Sequence, residues 1–111
     1  LGESVITLQY NPERRRSSAA VLDKKSLARR RCFLCSEYQP AKQKAVLWGS
    51  HYKIQVNPYP IFSRHLTIAD LNHEPQRIAD RVGDMLQFAK SLPDFVVFYN
   101  GPQCGASAPD H

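Results

Sequence analysis

Hydrophobic and polar positions alternate along "SVITLQY" (Ser4 to Tyr10), and Asn11-Pro12 follows, which predicts a strand with a defined end. "SAAVLD" (Ser18 to Asp23) has the apolar content for a returning second strand, and Lys24 to Arg31 reads as a basic connector with about one helical turn. "AVLWG" (Ala45 to Gly49) and "YKIQVN" (Tyr52 to Asn57) predict two strands joined by a turn at Gly49-Ser50-His51. Pro58 and Pro60 exclude "NPYPIF" from a sheet interior, because neither has an N–H to give to a ladder. Strand character resumes at "HLTIAD" (His65 to Asp70). From about Pro75 to Leu92 the period changes. Ile78, Val82, Met85, Leu86 and Ala89 fall on one helical stripe, with Asn72 as a candidate cap and Pro93 as the stop. "FVVFY" (Phe95 to Tyr99) predicts a last strand. Strands in hairpin order with one long helix predict an α+β domain built on an antiparallel sheet.

The totals narrow the class. A chain of 111 residues is the size of one domain, so residues 1–111 read as a single unit. With 42% hydrophobic and 23% charged residues it has the composition of a folded globular protein. No apolar run approaches the roughly 20 residues that span a bilayer. The opening residues lack the basic-then-apolar layout of a secretory signal, and a cytoplasmic location is the expectation. The net charge of +5 comes largely from Arg14-Arg15-Arg16 and Arg29-Arg30-Arg31, runs that suit a polyanionic partner or a solvated basic turn.

Two of the three cysteines form Cys32-Phe-Leu-Cys35, which favours a metal or redox role in a reducing compartment over a disulfide framework. One C-x2-C pair is half of a closed tetrahedral site; the alternative is a turn with two half-buried thiols. Cys104 and the histidines His51, His65, His73 and His111 are the other potential ligands. His65 starts a strand at a rim, His73 reads as a capping or surface residue, and His51 sits at a turn tip. After the last strand, Asn100-Gly101 and Gly105-Ala106-Ser107 combine small side chains with free backbone N–H groups. Such a loop can cradle an anion, or it can be a plain flexible turn.

Taken in order, "CFLC", "VNPYPIF" with "HLTI", and "FYNG" with "CGASAPDH" resemble the histidine-triad superfamily. The branch they resemble holds galactose-1-phosphate uridylyltransferase, GDP-L-galactose phosphorylase and the diadenosine tetraphosphate phosphorylases. "QYNPERR" resembles the opening segment of that branch. The resemblance implies a nucleotidyltransferase or phosphorylase acting on a nucleotide sugar, or on a dinucleotide, with a sugar phosphate or phosphate as acceptor. The attacking group there is the second histidine of a His-x-His-x-Gln strand. A neutral imidazole is nucleophilic near pH 7 and splits one transfer into two steps through a histidine-bound nucleotide. His111 would be the first histidine of that motif, so the attacking one would fall beyond residue 111. Residues 1–111 then carry no catalytic residue and read as a domain incomplete at its C-terminal side.

The same resemblance implies a zinc held by Cys32, Cys35, His65 and His111, and a nucleotide held by Phe33, Asn57, Asn100, Gly105 and Ser107. Two other readings stand beside it. One is a nucleic-acid-binding zinc module, suggested by the arginine runs but lacking a second C-x2-C or a recognition helix. The other is a non-catalytic relative that only binds nucleotides. "DFVVFY" as an open edge would favour a homodimer.

Overall fold

The computed structural model describes residues 2, 5, 6, 8–12, 24–102, 106, 108, 110 and 111. It is an α+β fold: helix α1 (Lys24–Arg29), strands β1 (Ala45–Trp48), β2 (Tyr52–Val56) and β3 (Leu66–Asp70), and helix α2 (Val82–Ser91). A short 3-10 turn, Ser36–Tyr38, follows Cys35. The three strands form one antiparallel sheet in the order β1-β2-β3, with Val46 opposite Ile54 and Ile54 opposite Ile68. Gly49 closes the β1–β2 hairpin with φ +58, a left-handed conformation that glycine adopts without a Cβ penalty. The proline-rich segment between β2 and β3 is an irregular loop, as the missing donors require. Asn57 braces it: its Oδ1 accepts the Tyr59 N–H at 2.8 Å and its Nδ2 donates to Thr67 Oγ1 at 3.0 Å.

The sheet has two unlike faces. On one, Phe88 of α2 is 4% exposed and meets Trp48 and Tyr52 edge-on, with ring centroids 5.6 and 5.1 Å away. On the other, Lys53 and Gln55 are buried beneath the Cys32–Cys35 turn. Lys53 Nζ donates to the Leu34 carbonyl and to Ser36 Oγ, while Gln39 Nε2 donates to Gln55 Oε1 at 2.8 Å. Buried polar groups must be hydrogen-bonded, and here the bonds pin the cysteine turn onto the sheet.

Helix α2 begins at Val82, not near Pro75, because residues 74–76 are used otherwise. Glu74 O accepts the His111 N–H at 2.9 Å, Pro75 bridges to Asp110, and Gln76 Nε2 donates to Ala108 O at 2.8 Å. Asn72 is accordingly no cap. The buried stripe is also rotated: Phe88 points inward, whereas Val82 and Leu86 remain 50% and 67% exposed. Residues 95–99 form no strand, and neither do the described residues of 4–10, where Val5, Ile6, Leu8 and Tyr10 are almost fully exposed. A strand is held by its ladder, and these segments have no ladder partner among the described residues. The second strand expected at Ser18 to Asp23 lies outside the described residues.

Tyr52 provides a pH test of the sheet–helix contact. Its hydroxyl donates to Asp84 Oδ2 and accepts from Arg81 Nη1 at 3.1 Å. Burial, then the Asp84 carboxylate, push its pKa up to about 12, against a pull downward from Arg81. An unfolded tyrosine titrates near 10. The neutral phenol therefore adds stability that is whole below pH 10 and is lost as pH rises through 12. Urea denaturation between pH 8 and 11 is expected to show a decline above pH 10 that Tyr52→Phe flattens. An unchanged slope in the variant would remove Tyr52 as its source.

Candidate functional site

The C-x2-C segment folds as a tight turn, with Cys35 N–H donating to Cys32 O at 3.2 Å, so both sulfurs project from one side. Cys32, Cys35, His73 and His111 come together there, with one ligand atom from each lying within 4.8 Å of all the others. Cys35 Sγ is 3.3 Å from His73 Nδ1 and 3.2 Å from His111 Nε2, and those two ring nitrogens are 3.2 Å apart. A tetrahedral ion bound to two thiolates at about 2.3 Å and two imidazoles at about 2.0–2.1 Å has ligand–ligand edges of roughly 3.3–3.8 Å. The cluster can hold a metal ion.

The ring of His111 is set for that role. Its Nδ1 lies 2.8 Å from the Asp70 carbonyl oxygen, which can only accept, so Nδ1 carries the proton. The Nε2 lone pair then faces the cluster. Such a hydrogen bond on the far nitrogen fixes both tautomer and ring orientation of a metal-binding histidine. His111 also has φ 88, a left-handed conformation that costs a non-glycine residue about 1–3 kcal/mol and persists where surrounding contacts hold it. The Asp110 carboxylate stands 3.7 Å from His73 Nε2, on the ring edge away from the cluster. Burial, reinforced by Cys32, raises the Cys35 thiol pKa above its ordinary value, while Lys53 pulls it down. A metal bound there would be held by the deprotonated thiolate, so its binding would release that proton.

His65 is the ligand the resemblance implied and the structure does not supply. Its Nδ1 accepts the Ile61 N–H at 2.9 Å, and its ring packs with Phe62 and Phe98, centroids 5.8 and 5.9 Å away. The reason is the length of β3. Five residues of strand span roughly 17 Å, His65 precedes them, and the cluster forms at the other end beside Asp70. His73, three residues past that end, is the histidine that reaches the cysteines. Neither spacing nor composition singled it out, and the same holds for the buried Lys53.

Beside the cluster opens a cleft of about 1040 Å³, lined among others by Phe33, Asn57, His65, Phe98, Asn100 and His111. Three of the five residues expected at a nucleotide, Phe33, Asn57 and Asn100, thus share one cavity. Gly105 and Ser107 lie outside the described residues. Asn57 keeps one N–H and one lone pair beyond its internal bonds, so much of its amide is committed to shaping the rim. Phe33 is 39% exposed with the Arg30 guanidinium 5.9 Å from its ring, and Arg31 lies similarly over Tyr38 at 5.5 Å. The second arginine run therefore packs partly on the rings of the cysteine turn. No described helix is long and apolar enough to cross a membrane.

No curated protein and no solved structure matches the chain. Residues 1–111 match throughout the family described as "Domain of unknown function (DUF4922)", and the chain belongs to that family.

Proposed function

We propose that the protein binds a nucleotide in this cleft, as the nucleotide-holding part of a nucleotidyltransferase or phosphorylase that acts on a nucleotide sugar. The observation that carries the reading is the convergence of Phe33, Asn57 and Asn100, distant in sequence, on one cavity that also borders His111. Its volume is at the upper end of the roughly 300–1,000 Å³ typical of small-molecule sites, in keeping with a ligand of nucleotide-sugar size. Phe33 offers an aromatic face for a base, and Asn100 an amide for ribose or phosphate oxygens.

In this reading zinc fills the cluster of Cys32, Cys35, His73 and His111. Two thiolates and two imidazoles suit that ion, and it would supply folding energy by tying the cysteine turn, the loop after β3 and the segment at 110–111 together. His111 is then a ligand and not the nucleophile. The attacking imidazole comes from outside residues 1–111, and an acceptor sugar phosphate or phosphate completes the transfer. The free thiols of Cys32 and Cys35 suit a reducing compartment, and the cytoplasm is the proposed location.

Calorimetric titration with UDP- and GDP-sugars, beside labelled DNA at two salt concentrations, tests this. Saturable nucleotide binding with modest salt dependence is expected, weakened about tenfold by Phe33→Ala or Asn100→Ala at unchanged melting temperature; stacking on one aromatic is worth about 1–3 kcal/mol. Binding of DNA alone, falling steeply with salt, would replace the proposal with the nucleic-acid reading.

A further inference from the structure

We propose that Arg81 is the positioning residue of the metal centre, acting as a clamp on the loop that carries His73; this rests on the reading that the Cys/His cluster binds a metal. The five residues Asp70 to Glu74 make three contributions to the cluster. His73 supplies Nδ1, the Asp70 carbonyl holds His111 Nδ1 at 2.8 Å, and the Glu74 carbonyl accepts the His111 N–H at 2.9 Å. The distance between the two ends of this loop therefore sets where both imidazoles stand.

One guanidinium nitrogen governs that distance. Arg81 Nη2 donates to Asp70 Oδ2 at 3.2 Å and to Glu74 Oε1 at 2.9 Å, which draws together two carboxylates that would otherwise repel. The other carboxylate oxygen of Asp70 accepts the Asn72 N–H at 2.9 Å, forming the turn that bends the loop between the clamped ends. Asp70 is only 6% exposed, so its charge needs the partner that Arg81 provides. Arg81 also reaches the Tyr52 hydroxyl, but through Nη1 and toward the sheet. The two roles use different nitrogens and can be separated by mutation.

Cobalt(II) serves as the probe, because its visible absorption reports tetrahedral geometry and thiolate ligation directly, and competition against a chromophoric chelator gives affinity. The wild type is expected to bind one equivalent with an intense tetrahedral spectrum. Glu74→Ala, on the half-exposed side of the clamp, and Arg81→Lys, which keeps the charge but ends one atom short of Nη2, are expected to weaken binding about 10- to 100-fold and to shift the visible bands. Tyr52→Phe is expected to lower the melting temperature while leaving affinity and spectrum unchanged. Circular dichroism establishes that each variant is folded; should Arg81→Lys fail to fold, Glu74→Ala decides. Wild-type affinity and spectrum in Glu74→Ala would overturn the clamp alone. Equal losses in Tyr52→Phe and Glu74→Ala would reduce it to general stability. No cobalt binding by the wild type would overturn the metal reading and the clamp with it.

Discussion

Changing His73 to alanine is expected to strip the metal from the protein, whereas His65→Ala should leave it bound. Structural zinc contributes apparent energies of about 10–16 kcal/mol across four ligands, or roughly 2.5–4 kcal/mol for each. At 1.4 kcal/mol per tenfold, losing one ligand raises the dissociation constant roughly 60- to 700-fold. His73 has a side chain 51% exposed, so its removal takes little from packing, and the effect falls on the metal. Elemental analysis of freshly purified protein and chelator competition both read it. Cys35→Ser should behave like His73→Ala, since Cys35 Sγ lies against both imidazoles. The reverse pattern, metal lost with His65 and kept without His73, would show that the cluster assembled differently from the structure.

Phe88→Ala is expected to remove a large share of the protein's stability. Phe88 is the buried residue of α2, and its ring packs edge-on against Trp48 and Tyr52 of the sheet. Truncating such a ring costs about 3–5 kcal/mol through lost burial and the cavity left behind. Domains of this size are stable by about 5–15 kcal/mol in total. The core offers little reserve: among the described residues, the buried hydrophobic ones beyond Phe88 are Leu34, Ala69 and Ala106, two of them alanines. Urea denaturation of Phe88→Ala and Phe88→Leu would measure the loss, with the leucine variant retaining part of the stability. A change below about 1 kcal/mol in Phe88→Ala would mean that α2 does not depend on this ring.

Gly49 between two alternating runs was enough to place the β1–β2 hairpin, because turn and strands are local choices. Prolines 58 and 60 placed the loop after β2 for the same reason, and Pro93 placed the end of α2. The start of α2 was not legible. The expected helix includes residues 75–81, yet Glu74 O, Pro75 and the Gln76 side chain are engaged with the segment at 108–111, and such tertiary contacts outweigh a propensity of a few tenths of a kcal/mol per residue. "DFVVFY" failed as a strand because apolar content sets a tendency, whereas a ladder needs a neighbour at hydrogen-bond distance.

At the site, Cys32, Cys35 and His111, expected as ligands from the resemblance, stand in one cluster, and Phe33, Asn57 and Asn100, expected at a nucleotide, line one cavity. Those assignments came from short ordered motifs. His73 reads in the sequence as a capping or surface residue ahead of the helix, and nothing local marks Lys53, Asp70 or Arg81, whose roles come from partners distant in the chain.

By itself the chain determined its class, its hairpin, its cysteine turn and the helix stop, since each follows from conformational preferences within a few residues. Folding in three dimensions decided which histidine meets the cysteines, which side of α2 turns inward and why a lysine lies buried under the Cys32–Cys35 turn. Those outcomes depend on distances between segments far apart in sequence. Five residues of strand between His65 and the far end of β3 are enough to carry one imidazole away from the sulfurs and to leave the place to another.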